Sequence, residues 1–198
     1  MSPRAVLFDL DGVLVKSEEA WFRAVEESGR RFRGGRAITR EEFSPTFGQG
    51  TAADVEVFGL SCTPAELDAF YVVEFVRHVP SVWVNPDAAP LLRELERRGL
   101  GRGLVTNSVG PIADALLAHG GLSSLLPVRA TADRVKHAKP APDLVLLACR
   151  ELGVAPHETV LVGDSRYDRE AARAAGAGFV GLGIDGERRI ERLSELLP

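Results

Sequence analysis

The sequence predicts an α/β fold, in which a parallel sheet carries helices on both faces and a small all-helical segment is inserted after the first strand. From residue 86 onward, strand patterns alternate with helix patterns, which is typical of a parallel sheet covered on both sides. Between an apolar run at residues 5–8 and that alternation, only helix patterns occur. We therefore predict a core domain made of residues 1–15 and 86–198, and a helical domain of residues 16–85.

The first strand is the apolar run at residues 5–8, which is typical of a strand buried on both faces. It is followed by Asp9 and Asp11, whose side chains point to the same side if the chain stays extended. Gly12 then allows a sharp turn. Two carboxylates this close repel each other unless a cation compensates them, and a divalent cation is the usual one. This strand end is therefore either a metal site or a turn with solvated carboxylates.

Helix signals dominate the inserted segment. Apolar side chains at helical spacing predict a first helix over residues 20–29 that ends at Gly29. Residues 30–36 are basic and rich in glycine, so we predict a loop whose arginines are either solvated or contact an anionic substrate. Further helix starts and helices are predicted at the capping box of residues 39–42, at 52–58 and at 63–78.

Strands and helices alternate in the remainder of the chain. The predicted strands are 103–106, 128–131, 160–162 and 178–182, and the predicted helices are 89–98, 111–119, 142–152, 167–175 and an amphipathic 187–197. Ligands of such sheets bind beyond the carboxyl ends of the strands. Asp9, Thr106 and Asp164 all follow predicted strands, so we expect them to share one site.

The composition is that of an ordinary globular protein, with 45% hydrophobic and 26% charged residues. The net charge of -4 argues against general nucleic-acid binding. We also expect no signal peptide and no membrane span, because no apolar stretch is long enough. Cys62 and Cys149 form no metal or redox motif, and Cys149 lies in an apolar helical pattern. Free thiols suit the cytoplasm, where we expect this protein to act.

Four short stretches resemble, in order, the motifs of the haloacid dehalogenase-like hydrolase superfamily. They are residues 4–15 with Asp9 and Asp11, residues 103–108 with Thr106, residues 139–143 with Lys139, and residues 160–168 with Asp164 and Asp168. The last two are close to the branch of phosphoglycolate phosphatase and β-phosphoglucomutase. Each motif is weak alone, but four in order are specific. The resemblance covers residues 4–182, loosely between 16 and 85, and implies a Rossmann-like core with a helical cap.

The resemblance implies a Mg²⁺-dependent hydrolase that cleaves a small phosphomonoester, such as a sugar or organic-acid phosphate. Asp9 would be the nucleophile that forms an aspartyl-phosphate, and Asp11 the general acid and base. The side chains of Asp9 and Asp164 and the backbone carbonyl of Asp11 would hold Mg²⁺, with Asp168 as a more distant or water-mediated partner. Residues 165–168 also fit a capping box, and both interpretations hold together.

The same resemblance assigns the groups that bind phosphate. Lys139 would act as a catalytic point charge on the transferring oxygens and on Asp9. The Thr106 hydroxyl and the backbone N–H of Asn107 would donate to phosphate oxygens. In the cap, Gln49 and the arginines of residues 30–36 are the candidates for contact with the rest of the substrate.

Three other functions are known or conceivable for these motifs besides hydrolysis of a phosphomonoester. Hydrolytic dehalogenases of this superfamily lack the second carboxylate of the first motif, whereas Asp11 is present here. A β-phosphoglucomutase-like mutase uses the same motifs, but it needs cap residues that bind a second phosphate, often a cationic side chain, and residues 48–50 carry no Lys or Arg. A non-catalytic binding module would be expected to lose a motif carboxylate or Lys139. We therefore expect a small phosphorylated metabolite as the partner, bound by a monomer or small homo-oligomer.

Overall fold

The computed structural model describes residues 3–197, and its core is a six-stranded parallel sheet. The strands in chain order are β1 (Ala5–Phe8), β2 (Val15–Lys16), β3 (Trp83–Val84), β4 (Gly101–Val105), β5 (Val128–Ala130), β6 (Thr159–Gly163), β7 (Gly178–Leu182) and β8 (Arg188–Ile190). Six of them form the sheet in the order β5–β4–β1–β6–β7–β8. The predicted α/β fold is confirmed, with β1 at the centre between β4 and β6.

Helices cover both faces of this sheet. They are α1 (Glu18–Phe32), α2 (Arg40–Phe43), α3 (Thr51–Phe58), α4 (Pro64–Val76), α5 (Ala88–Arg97), α6 (Gly110–His119), α7 (Asp143–Leu152) and α8 (Arg166–Ala175). Val6 and Phe8 belong to an apolar cluster with α5 and α6, whereas Leu7 belongs to another with α7 and α8. This is the alternation expected of a strand buried on both sides. Within residues 3–197, we find no helix with both the length and the apolar character that a membrane span requires.

The helices α1 to α4 lie between β2 and β3, within residues 16–85, which we call the cap segment. β2 and β3 pair antiparallel, with Val15 opposite Val84, so the chain leaves and re-enters the core at neighbouring positions. Inside the segment α1 packs on α4, and the rings of Trp21 and Tyr71 meet edge to face at 5.4 Å. The helical content is as predicted, while the domain boundary at residues 16 and 85 stays a prediction.

The predicted end of the first helix at Gly29 is wrong, because α1 continues to Phe32. A Cβ atom on Gly29 would lie 2.7 Å from both the carbonyl oxygen of Arg36 and the backbone nitrogen of Ile38. Gly29 therefore allows the returning chain to pack closely against α1, and α1 does not end at this glycine. The sequence pattern alone does not distinguish these two uses of glycine.

The predicted amphipathic helix over residues 187–197 is also wrong. Residues Arg188–Ile190 form β8, which pairs parallel with β7, and a short 3₁₀ turn follows at Leu193–Glu195. Ile190, Leu193 and Leu196 are buried, and their spacing of three residues imitates a helix. The unpaired backbone groups on the edge of β7 attract a strand instead, since hydrogen bonds to them outweigh a weak helix preference.

Candidate active site

The carboxyl ends of the three central strands converge on one cavity. Asp9 follows β1, Thr106 follows β4 and Asp164 follows β6, and all three side chains line this cavity. Asp11 and Lys139 line it as well, together with residues of the cap segment. The strand order therefore brings together residues that lie up to 155 positions apart in the sequence, 9 to 164.

Lys139 lies among the carboxylates of Asp9, Asp164 and Asp168. We call these four residues the cavity floor. Its ammonium group donates to Asp9 at 2.7 Å, to Asp168 at 2.6 Å and to the carbonyl oxygen of Val105 at 3.1 Å. Burial alone would lower the pKa of Lys139, but the charges of Asp168 and Asp9 outweigh it and raise the pKa. Lys139 therefore stays protonated and offsets two buried carboxylates at once.

Asp168 is completely buried and has two separate contacts. One carboxylate oxygen accepts from Lys139, while the other accepts the backbone N–H of Ser165 at 3.1 Å and so completes the capping box of α8. Gly163 makes room for it, because a Cβ there would lie 2.3 Å from that of Asp168. This residue thus orients Lys139 as well as capping its helix, a link across the fold that the sequence analysis did not identify.

The carboxylate of Asp11 is held by three donors that the sequence analysis did not identify. The Ser17 hydroxyl and the Trp21 indole N–H donate to one oxygen, the latter at 3.2 Å, and the Ser108 hydroxyl donates to the other at 3.1 Å. Burial raises the pKa of Asp11, and the hydrogen bonds from these groups oppose the rise. Ser108 lies only two residues after Thr106 in the second motif, and this position is the one signal in the sequence that could have identified it.

The arrangement of carboxylates fits a divalent cation. Oxygens of Asp9, Asp164 and Asp168 all lie within 4.8 Å of one another. Burial raises the pKa of Asp9, and repulsion from Asp168 and Asp164 adds to it against the opposing charge of Lys139. Burial and the charge of Asp168 likewise raise the pKa of Asp164 to about 7. A bound cation would relieve this repulsion, and hard oxygen donors are the ligands that Mg²⁺ prefers.

Gly12 shapes the same pocket. Its φ of 87° is left-handed, and a Cβ there would lie 1.8 Å from an oxygen of Asp164. Both the backbone conformation and the space therefore require glycine at this position. Its role as a turn residue was predicted, whereas its contact with Asp164 comes from the folded chain.

Asn107 connects the core to the cap segment through its side chain. The amide donates to the carbonyl oxygens of Gly48 and Lys139 at 3.0 Å each, and its oxygen accepts the backbone N–H of Lys139 at 2.8 Å. Thr106 is buried, and its hydroxyl oxygen accepts the backbone N–H of Ser108 at 3.1 Å. Both residues line the cavity, where their predicted contacts with phosphate stay predictions.

The predicted cap contacts are placed differently. Gln49 does not line the cavity, and its amide instead donates to Asp54 at 3.0 Å. The arginines of residues 30–36 are absent from the lining too, within the described part of the chain. Arg30 pairs with Glu26 and Glu27 along α1, and Arg33 pairs with Glu42. Arg30 and Arg33 thus form ion pairs with carboxylates of the cap segment and do not line the cavity.

The cap side of the cavity carries carboxylates, which the sequence analysis did not identify. Asp54 and Asp68 line the cavity together with Thr51 and Tyr71. The hydroxyl groups of Tyr71 and Thr51 donate to Asp54 at 3.1 Å and to Asp68 at 2.6 Å. Burial raises the pKa of Asp54 to about 6. We call Asp54 and Asp68 the acidic roof.

Comparison with known proteins agrees with this geometry. The family model for haloacid dehalogenase-like hydrolases matches residues 6–182. The chain is 32% identical to phosphoglycolate phosphatase of Escherichia coli (strain K12), over 90% of this chain and 81% of that protein. It is 30% identical to N-acetylmuramic acid 6-phosphate phosphatase of Pseudomonas aeruginosa, over 89% and 80%.

A solved structure extends the match to the whole fold. CbbY from Rhodobacter sphaeroides, solved in complex with phosphate, has a TM-score of 0.87 at 26% identity, over 98% of this chain and 96% of that one. The four motifs, the parallel sheet and these matches agree with one another. The chain therefore belongs to the haloacid dehalogenase-like hydrolase family.

Proposed function

We propose that this protein is a Mg²⁺-dependent phosphohydrolase that cleaves a small phosphomonoester through an aspartyl-phosphate on Asp9. The observation that carries the proposal is the position of Asp9, which is held by Lys139 at the end of the central strand beside Asp164. Asp11 lies in the same cavity and is oriented by three donors of its own. Two relatives over most of the chain are named as phosphatases of small metabolites.

In the first step, Asp9 attacks the phosphorus atom and forms an acyl phosphate, while the alcohol leaves. Asp11 gives its proton to that alcohol, and burial favours the protonated form that this step needs. In the second step, Asp11 takes a proton from a water molecule, which attacks the phosphorus atom and releases inorganic phosphate and Asp9. Lys139 stabilises the charge that spreads over the transferring oxygens, and Asp168 and Asn107 position it.

Mg²⁺ would be held by the side chains of Asp9 and Asp164 and, by family resemblance, by the backbone carbonyl of Asp11. When bound, it supplies positive charge against the phosphate and the surrounding carboxylates. Asp168 would support the site through Lys139, because both of its oxygens already accept hydrogen bonds.

The two alternatives make different demands on the cavity. A mutase has to hold a second phosphate near the cap, yet Lys139 is the one Lys or Arg among the described residues that line the cavity. This supports hydrolysis over phosphoryl transfer between positions of a sugar. A non-catalytic module has no use for the conjunction of Asp9, Asp11 and Lys139 in one cavity. We further propose a cytoplasmic location, in line with the free thiols of Cys62 and Cys149.

The test is hydrolysis of p-nitrophenyl phosphate and of a panel of sugar and organic-acid phosphates. We expect turnover with Mg²⁺, loss of turnover with EDTA, and recovery when excess Mg²⁺ is added back. Recovery separates metal removal from denaturation. Absence of turnover on the entire panel with metal present, by a protein shown to be folded, contradicts the proposal.

A further inference from the structure

The acidic roof lines the same cavity as Asp9, Asp11 and Lys139, and both of its residues belong to the cap segment. Asp54 accepts hydrogen bonds from Gln49 and Tyr71 at 3.0 and 3.1 Å, and Asp68 accepts from Thr51 at 2.6 Å. These donors are all neutral, so they orient the two carboxylates without cancelling their charge. At neutral pH Asp54 is mainly ionised, since its pKa, although raised by burial, is about 6.

Among the described residues that line the cavity, no basic side chain pairs with the roof carboxylates. Lys139 is the one basic side chain in the described lining of the cavity, and it is already paired with Asp9 and Asp168 on the floor. Burial raises the pKa of Asp68, and the nearby carboxylate of Asp133 raises it further. The charged side chains that the described cap segment contributes to the cavity lining are therefore both carboxylates.

We infer that Asp54 and Asp68 select phosphomonoesters whose alcohol part carries hydrogen-bond donors, hydroxyl or ammonium, and reject those with a second anionic group. An ionised carboxylate accepts hydrogen bonds but donates none, and each of its oxygens can accept a further bond from a hydroxyl or ammonium of the substrate. A second carboxylate or phosphate meets like charge in a partly dehydrated cavity, where repulsion is stronger than in water. This inference rests on the proposed function and narrows its substrate class. It also predicts a substrate preference different from that of the Escherichia coli relative, which is named for the anionic substrate phosphoglycolate.

Three phosphomonoesters of nearly equal size test the inference. O-Phosphoethanolamine, 2-hydroxyethyl phosphate and phosphoglycolate place an ammonium, a hydroxyl and a carboxylate at the same distance from the phosphate. For the unmodified protein with Mg²⁺, we expect kcat/KM for the first two to exceed that for phosphoglycolate by ~10-fold or more. The comparison of the first two esters tells whether positive charge or hydrogen bonding dominates.

Roof variants identify the residues that discriminate. Asp54→Asn and Asp68→Asn each remove one charge while keeping the shape and an accepting oxygen. Each should reduce the preference against phosphoglycolate several-fold, and the double variant should reduce it further. Asp185→Asn is the matched control, because that side chain is 89% exposed and does not line the cavity. It should leave the preference unchanged.

The outcomes separate this inference from the proposed function. Rapid turnover of p-nitrophenyl phosphate together with equal kcat/KM for all three esters overturns the inference alone. So does a preference that survives in both single variants, each checked for folding by thermal melting. If one variant does not fold, the other decides. Absence of turnover on p-nitrophenyl phosphate and on all three esters overturns both.

Discussion

The floor and the roof of the cavity are both built from buried or half-buried carboxylates, but they are compensated in different ways. On the floor, Asp9 and Asp168 share the ammonium group of Lys139 and lie beside Asp164. On the roof, Asp54 and Asp68 receive only neutral hydrogen bonds from Gln49, Tyr71 and Thr51. The floor therefore has an ammonium group that offsets part of its negative charge, while the roof has none among the described residues that line the cavity.

The difference shows how one cavity can treat the two ends of a substrate in opposite ways. Burial raises the pKa of Asp9 and of Asp54 alike, but only Asp9 has an ammonium group beside it that offsets its charge. The hydrogen bonds from Gln49 and Tyr71 favour the charged form of Asp54 but do not offset its burial, which costs stability at neutral pH. The floor depends on its ion pairs, and the roof does not. The following predictions test each side of this contrast, from the largest effect to the smallest.

The largest effect is expected at Asp9. Asp9→Asn should lower kcat by at least ~10⁴-fold on every substrate, because an amide cannot act as the nucleophile. Mass spectrometry of acid-quenched protein should show a phosphate adduct on the parent chain and none on the variant. Near-native turnover by the variant would show that the nucleophile is assigned wrongly.

Lys139→Met should lower kcat/KM by ~10²–10³-fold on all substrates alike, because it removes positive charge from the transition state. It should also destabilise the fold by about 3–5 kcal/mol, since it leaves the buried charges of Asp9 and Asp168 without their cation. Urea unfolding measures this loss. Arg134→Met, which breaks an exposed pair with Glu151, serves as the control and should have little effect on either quantity.

Asp11→Asn should lower kcat by ~10²-fold on esters of ordinary alcohols, because their leaving groups need a proton. The loss should be much smaller with p-nitrophenyl phosphate, whose phenolate leaves without one. The Mg²⁺ concentration for half-maximal activity should hardly change, since the backbone carbonyl is the expected ligand. Equal losses on both kinds of ester would argue against the role of general acid.

The smallest effect concerns stability at the roof. The pKa of Asp54 is raised to about 6, above its value in the unfolded chain, so the folded state retains a proton that the unfolded state releases. Stability from this group is therefore present at low pH and lost as pH rises from about 4 to about 6. The charge of the nearby Asp68 also raises the pKa of Asp54.

Asp54→Asn should remove this dependence and stabilise the protein at pH 7 by about 1–2 kcal/mol, after allowance for solvent screening. Urea unfolding of both proteins between pH 4 and pH 8 measures the difference, which should vanish toward pH 4. A variant less stable than the parent at pH 7 would show that the hydrogen bonds of Asp54 outweigh its cost of burial.

The sequence predicted more of the floor than of the roof. Asp9, Asp164 and Lys139 lie in short motifs. Asp9 and Asp164 directly follow strands, and parallel strands bring their carboxyl ends to one edge. Asp54 belongs to an ordinary helix pattern, and nothing in its spacing distinguishes it from a solvated residue. Gln49 lies in a glycine turn, which made it a candidate for contact with the substrate, yet in the folded chain its amide donates to Asp54.

What the sequence determined by itself is the α/β core, the order of its elements and the composition of its floor. Hydrophobic periodicity, glycine stops and motif order are local properties, so they can be read without knowing which residues meet in space. Two local interpretations failed where a distant partner intervened, at Gly29 against the returning chain and at β8 against the edge of β7.

Only the tertiary structure decided which donors hold Asp11 and which charges face the substrate. Ser108 lies 97 positions from Asp11 in the chain, and Trp21 and Tyr71 meet only because α1 packs on α4. Whether a carboxylate is solvated, paired or aimed into a cavity depends on the atoms around it. Those atoms come from elements far apart in the sequence, so burial and long-range packing set the electrostatics of the roof.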